Sequence, residues 1–439
     1  MLDEHPTEVI MNYYELKKWV LHRIEVKGLG ITIISFLFFL MVSTRKHSLQ
    51  EAEKFSGINR SIFSRLLKNH PELAVYNLGN LSKRQAKQFS KVLKYLGKKG
   101  SLPWKVALLI DSTIQHRSSL HTQNAQRFNH GKGFVIGHQW TNIVLVFNDM
   151  LIPLAPIPFY TKKYCREEKL EYKTEHESVI EYITNLKLED YIGKHNPKEV
   201  IVLADSGYDD NEIEKAIAKK KWKFIIALKK TRGVKSEKQY SNTPKSKEWS
   251  QVAVFFKNQR WVKWVTIRIF TDSPKRKRME FRIRHITGYL LNVGRVQLIC
   301  SEFKMRPKGR KKYLACNDLK ATARQILLGY RIRWKIETFH KEVKMFLGFE
   351  DVATKYFESV ISHVHWVYCA YILLNSHPSG LAEHIKSTPD KQRRIKEIID
   401  SKELARELQM LTQIKGVERC KNELRKALQT IGDPENPIN

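Results

Sequence analysis

Hydrophobic and polar positions alternate on two different periods along this chain, and the change of period divides it. Val106-Ala107-Leu108-Leu109-Ile110 and Val200-Ile201-Val202-Leu203-Ala204 are apolar at every position, and polar residues follow each run. Short unbroken runs of this kind predict strands buried on both faces, as in a parallel sheet. Phe224-Ile225-Ile226-Ala227-Leu228 predicts a third. Val144–Phe147 and Met150–Ile152, separated by Asn148-Asp149, predict a hairpin with a two-residue turn. Helical periodicity falls between these runs, at His176–Leu188 and Asn211–Lys220. The order strand, hairpin, helix, strand, helix, strand predicts an α/β domain with a mixed sheet.

Residues 1–100 read as helical. Ser48-Leu49-Gln50-Glu51 and Ser82-Lys83-Arg84-Gln85 have the form of capping boxes, each predicting a helix start. Ala52, Phe55, Ile58, Ile62 and Leu66 predict a core face over two helices with a turn at Ser56-Gly57. The second of these helices would expose Asn59, Arg60, Ser61, Ser64, Arg65 and Lys68. A helix-turn-helix laid in a DNA groove is one reading; an ordinary helix pair is the other. Lys98-Lys99-Gly100 reads as a linker. Leu29–Val42 is the longest apolar run, about 14 residues against the roughly 20 needed to cross a bilayer. It predicts a buried helix, with an interfacial segment as the lesser alternative, rather than a membrane span or a signal peptide.

After residue 230 the pattern changes. Val252–Phe256, Trp261–Phe270, Glu280–Ile286 and Val296–Cys300 predict strands between polar turns, a β-rich insertion over 231–312. Tyr313-Leu314-Ala315-Cys316 then predicts a return to the sheet, with Asn317-Asp318 as cap and turn into a long helix. Residues 352–376 predict a second, apolar helix, and 387–430 a charged helical tail. Five domain segments follow: 1–100 helical, 101–230 and 313–380 as the two parts of the α/β domain, 231–312 inserted, and 381–439 helical.

The long helix carries Gly329-Tyr330-Arg331-Ile332-Arg333-Trp334-Lys335-Ile336-Glu337-Thr338-Phe339-His340-Lys341-Glu342-Val343-Lys344. At about 100° per residue, Leu328, Ile332, Ile336, Phe339, Val343 and Phe346 fall in one arc. Tyr330, Arg333, Glu337 and Lys344 fall in another. An amphipathic surface helix with a Glu337–Lys341 pair would also satisfy that pattern.

Charge narrows the class. Lys and Arg number 78 against 45 Asp and Glu, a net +33, so a polyanion is the first partner to consider. Residues 231–312 hold 22 Lys and Arg against 5 Asp and Glu, about half of that excess, densest at Lys275–Arg278 and Lys304–Lys312. Such asymmetry favours a DNA-facing insertion over a solvated loop. The five cysteines, at 165, 300, 316, 369 and 420, show no metal or disulfide spacing. They read as reduced thiols of a cytoplasmic protein.

The spacing Tyr330, Arg333, Glu337, Lys344 resembles the signature of bacterial insertion-sequence transposases of the Asp-Asp-Glu type, in the group called insertion sequence four. The resemblance implies two further carboxylates, each after an upstream strand. Asp111, in Asp111-Ser112-Thr113, and Asp205, in Asp205-Ser206-Gly207-Tyr208, stand there. An aspartate in that place is otherwise a turn or helix cap, as Asp149 is expected to be. The resemblance further implies a ribonuclease-H-like fold, catalytic and metal-binding roles for Asp111, Asp205 and Glu337, and DNA contacts by Tyr330, Arg333 and Lys344.

Three carboxylates without His or Cys suit Mg²⁺ or Mn²⁺ rather than zinc. The implied partners are double-stranded DNA, as the terminal inverted repeats of its own element and as target, and a second copy of the chain in the DNA complex. The implied location is the cytoplasm, on the nucleoid, with no membrane. Trp261 and Trp264 in the insertion have two readings, stacking on a base expelled from a cleavage hairpin or simple packing. A metal-dependent nuclease without strand transfer and a DNA-binding protein with a dead site stand as alternatives to a cut-and-paste transposase.

Overall fold

The structure, a computed structural model, describes residues 12–44, 46–130, 133–242, 248–258, 261–270, 278–303, 311–352, 354–376, 387–415 and 422. It opens with helices α1 (Tyr13–Leu21), α2 (Gly30–Val42), α3 (Leu49–Ser56), α4 (Arg60–Asn69) and α5 (Pro71–Phe89). The sheet begins with β1 (Val106–His116), β2 (Gln126–His130), β3 (Gly133–Phe147) and β4 (Met150–Pro158). Then come α6 (Lys162–Glu167), α7 (Glu175–Asn185), α8 (Glu189–Ile192), β5 (Val200–Ala204), α9 (Asn211–Lys219) and β6 (Lys223–Ala227). The β-rich stretch holds β7 (Gly233–Ser236), α10 (Glu237–Asn242), β8 (Ser250–Gln251), α11 (Val252–Asn258), β9 (Val265–Phe270), β10 (Arg278–Leu290) and β11 (Gly294–Phe303). β12 (Lys312–Cys316) and helices α12 (Ala323–Ile332), α13 (Trp334–Phe346), α14 (Phe357–Asn375) and α15 (Thr388–Lys415) complete it.

Among the described residues one mixed sheet runs in the order β2-β3-β1-β5-β6-β12-β11-β10-β7-β8, with β4 paired to β3 and β9 to β10. Of its ladders among these residues, β1–β5 and β5–β6 are parallel and the rest antiparallel. The mixed sheet, with helices before and after it, is consistent with a ribonuclease-H-like domain. The two wholly apolar runs are its central strands, and both faces are covered. Ala107 and Leu109 enter the core layer that includes α2, α5 and α14, while Val106, Leu108 and Ile110 enter the layer under α7 and α9. The strands of the β-rich stretch extend this same sheet, because β11 pairs with β12, which pairs with β6.

The hairpin turn is as expected: Asn148 and Asp149 take φ of 46° and 62°, the left-handed pair a type I′ turn needs. The run Leu29–Val42 is α2, buried from Phe36 to Val42. No helix among the described residues is long and apolar enough to cross a membrane. α3 and α4 are joined at Gly57 (φ 71°), and the six polar residues expected on α4 and its cap are exposed. Four of the five cysteines are buried free thiols; Cys420 lies outside the described residues.

Several expectations fail for identifiable reasons. Ser82 does not start a helix but sits inside α5, where its hydroxyl donates to the Pro153 carbonyl at 2.6 Å. Phe55 is 37% exposed, and Phe63 and Leu67 take the core positions instead. Val252–Phe256 is helical rather than extended. Val252, Phe255 and Phe256 are buried and Val254 is 45% exposed, an i, i+3, i+4 pattern that five apolar residues in a row had hidden. The helix after β12 is capped by Thr322, with a Gln325 capping box, and not by Asn317-Asp318. Those two residues tie other segments: Asn317 accepts the Phe224 amide, and Asp318 accepts the Trp104 indole.

Gly329, in α12, lies against the fully buried Trp104. A Cβ there would stand 2.8 Å from the indole ring and 3.0 Å from Ile225. Because Asp318 pins that indole at 3.0 Å, the ring has little room to yield. Gly329→Ala is therefore expected to destabilise the protein by about 1–3 kcal/mol despite the better helix propensity of Ala. Thermal unfolding checks this, and an unchanged or raised Tm would contradict it.

Candidate active site

The parallel ladder between β1 and β5 ends at Ile110 opposite Ala204. The next residue on each strand is an aspartate, so Asp111 and Asp205 emerge side by side at the carboxyl edge of the sheet, where open α/β sheets place their sites. Asp111 is not past the end of its strand, as expected from the apolar run. β1 continues to His116 because β3 supplies an antiparallel partner along that length, with Asn142 opposite Asp111. Asp205 caps the 3-10 turn Ser206–Tyr208, its Oδ1 accepting the Gly207 amide at 2.7 Å.

The signature stretch is not one uninterrupted helix. α12 and α13 meet at Arg333, whose amide bonds to the Tyr330 carbonyl three residues back at 3.2 Å, a tighter turn than α. Ile336, Phe339 and Val343 are fully buried as expected, and Leu328, Ile332 and Phe346 are partly buried against the same core. Arg333 is not on an open face: it is 9% exposed. Its guanidinium reaches Asp111 Oδ2 at 3.2 Å with one nitrogen and Glu337 with the other. The expected alternative, a Glu337–Lys341 pair, is not what Glu337 does.

Asp205 and Glu337 are near enough for their charge to act on Asp111. Burial pushes the Asp111 carboxyl up to about 6; Arg333 opposes this, while Asp205 and Glu337 add to it. For Arg333, burial disfavours the charge, yet Tyr330, Asp111 and Glu337 outweigh burial and hold its pKa above the ordinary value. Tyr330 is buried, with its phenol pushed to about 12 and the Arg333 guanidinium 5.8 Å from its ring centre. Lys344 faces the same strand further along, donating to the Ile114 carbonyl at 2.6 Å and pairing with Glu350 at 3.1 Å.

Two neighbours of the site were not foreseen. Lys312, the first residue of β12, has its pKa lowered by desolvation and by Arg333, with Glu337 and Asp205 pulling the other way. It also lies 5.0 Å from the Tyr330 ring centre. In sequence it was one lysine of a basic run. Asn142, opposite Asp111, bonds His340 at 2.8 Å and accepts the Tyr368 hydroxyl at 2.6 Å. Burial holds the His340 ring down at about 3, with Lys344 and Arg333 adding to that, so it is neutral and free to accept. This buried, paired network fixes the register of α13 and α14 on β3 behind Asp111.

Among the described residues no three His, Cys, Asp or Glu side chains close on a single point as a metal ion's ligands would. The donor chemistry nonetheless fits a hard divalent cation: Asp111, Asp205 and Glu337 are all oxygen donors, and a guanidinium already stands across two of them. Of the two tryptophans, Trp264 is engaged, with Arg284 at 4.8 Å, Arg282 at 5.0 Å and Lys311 at 5.8 Å from its ring. Trp261 is 68% exposed. The basic runs lie largely outside the described residues: of Lys275–Arg278 only Arg278 is described, and of Lys304–Lys312 only Lys311 and Lys312.

No curated protein matches the sequence. Residues 186–373 match the family model for the transposase DDE domain. That span contains Asp205, Tyr330, Arg333, Glu337 and Lys344, and β1 brings Asp111 to it by pairing with β5. The match supports a DDE transposase, an enzyme that acts on DNA.

Proposed function

We propose that this chain is a cut-and-paste transposase of the insertion sequence four group, cleaving DNA at the inverted terminal repeats of its element and joining it to target DNA. One observation carries the reading: Asp111 and Asp205 each follow the last paired residue of the parallel β1–β5 ladder, and Arg333 links Asp111 to Glu337 from the matched segment. Asp111, Asp205 and Glu337 would hold Mg²⁺ or Mn²⁺. When bound, such ions activate the attacking oxygen and neutralise the leaving one in an in-line phosphoryl displacement. What the protein itself adds is position and charge, which is most of what phosphoryl transfer requires.

Tyr330, Arg333 and Lys344 flank those carboxylates and suit the phosphates beside the scissile one, Arg by a forked grip and Lys as a point charge. α4 offers Asn59, Arg60, Ser61, Ser64, Arg65 and Lys68 to a groove. Cleavage through a DNA hairpin fits the group, and Trp261, the exposed one of the pair, suits an expelled base. The working form on DNA is a homodimer. The test is a donor plasmid carrying the gene with its flanking DNA, incubated with protein, Mg²⁺ and a target plasmid. Excised and inserted element supports a transposase; nicks without joined product would make it a nuclease, and no cleavage would overturn the enzyme reading.

Charge asymmetry supports the β-rich stretch as a source of non-specific DNA affinity. Neutralising Lys275, Arg276, Lys277 and Arg278 is expected to flatten the plot of log K against log salt by about 0.9 for each DNA phosphate that the variant no longer neutralises. A slope equal to the wild-type one would leave that run a solvated turn.

A further inference from the structure

We infer that Glu175 is a positioning residue that holds the loop of Asp205 against the strand pair bearing Asp111. The inference rests on the reading of Asp111 and Asp205 as metal ligands. The parallel ladder that aligns the two strands stops at Ile110 and Ala204, so past that point no backbone pairing between β1 and β5 fixes one aspartate relative to the other. Side chains take over. Glu175, in the first turn of α7, accepts the Tyr208 hydroxyl at 2.7 Å, the Thr141 hydroxyl at 2.7 Å and the Gln139 amide at 2.6 Å. Tyr208 ends the 3-10 turn that Asp205 caps, and its ring is buried. Thr141 stands opposite Ser112, the residue after Asp111.

One carboxylate thus ties α7, β3 and the Asp205 turn at a single point, within one residue of the Asp111 pairing position. Three donors satisfy a charged acceptor at 2.6–2.7 Å, short as charge-assisted hydrogen bonds are, and Glu175 lies at a helix N-terminus, where negative charge is favoured. His176 braces the same turn from its outer side, bonding the Gly207 carbonyl at 2.8 Å and Asp210 at 3.0 Å. Loss of a residue that orients a metal ligand commonly costs about 10–100-fold in metal affinity.

The test measures Mn²⁺ affinity by the EPR signal of free ion, on full-length protein without DNA. Glu175→Ala is expected to weaken Mn²⁺ binding by about 10–100-fold. Tyr208→Phe, nearly isosteric, is expected to reproduce most of that loss, since it removes the bond between Glu175 and the Asp205 turn. Glu175→Gln keeps a carbonyl oxygen facing Tyr208 and Thr141 and is expected to stay within a few-fold of wild type. Hydrogen exchange at the Gly207 and Tyr208 amides is expected to rise in Glu175→Ala and Tyr208→Phe and not in Glu175→Gln. Wild-type Mn²⁺ affinity in Tyr208→Phe and Glu175→Ala would overturn the inference while leaving the metal site intact. Wild-type protein that binds no Mn²⁺, or binds it equally as Asp205→Asn, would instead overturn the reading of the carboxylates. The exchange data would then still report whether Glu175 holds the turn.

Discussion

Asp111→Asn, Asp205→Asn and Glu337→Gln are each expected to abolish strand cleavage, by about 10³-fold or more, while leaving binding of the element's ends in place. The chemistry proposed for the site needs carboxylates that keep their charge beside one another, whereas the cations proposed to hold DNA are kept in all three variants. Folding should tolerate the changes, and Asp111 shows why. Burial and two neighbouring carboxylates raise its pKa from 3.8 to about 6, so the folded protein takes up that proton more readily than the unfolded chain. The stability this contributes is fully present below pH 3.8 and is lost as pH rises through about 6. A neutral Asn escapes that loss. Metal-free Asp111→Asn should therefore unfold at the wild-type temperature or above it at pH 8, and the advantage should vanish at low pH. Gel-shift binding, nicking of labelled end DNA and thermal unfolding at pH 4 and pH 8 measure all three expectations. Near wild-type cleavage by any one variant removes that residue from the site, and by two it removes the site.

Arg333→Ala is expected to bind Mn²⁺ more tightly than wild type in the absence of DNA, yet to cleave about 10²-fold more slowly. In the DNA-free protein the guanidinium neutralises Asp111 and Glu337 and occupies oxygens that a metal ion would use. Like charges this close repel strongly in a partly buried site, so removing one favours the other. DNA phosphates would draw the same guanidinium away, and it then serves the backbone beside the cut. Arg333→Lys keeps a charge without the fork that spans two carboxylates, and it should fall between wild type and Ala in Mn²⁺ affinity. Titration of each variant with Mn²⁺, with and without end DNA, checks this. Weaker metal binding by Arg333→Ala would make the arginine a structural support for the carboxylates rather than their competitor.

How much of this could be read from the chain differs from element to element. β5 matched its apolar run from Val200 to Ala204, because a strand buried on both faces must be apolar at every position. β1 did not stop where its apolar run stopped, since Ser112 to His116 are held by the β3 backbone and need no apolar side chains. The tight turn at Arg333 left no mark in helix propensity; what defines it is a buried ion pair to a strand 222 residues away. Glu175 and Lys312 were invisible for the same reason. One looked like any acidic residue in a helix's first turn and the other like one lysine in a basic run. Their roles come from what the sheet order sets beside them, and sheet order is not written in local pattern.

The packing of α14 bears on how the protein is made. α2, α4 and α5 all lay apolar faces against it, and it lies some 270 residues downstream of α5. At about 5–20 residues per second, a ribosome needs roughly 15–50 seconds to supply it. Throughout that time the nascent N-terminal helices can pack only on one another, and the faces of α2, α4 and α5 that meet α14 stay uncovered; Glu337 has only just been added when α14 begins to emerge. A chain released early is therefore expected to be a client for chaperones or aggregation, with neither a closed N-terminal core nor a complete set of carboxylates. Synthesis through α14, and on to α15, which packs on α1 and α2 as well, is what closes the N-terminal core.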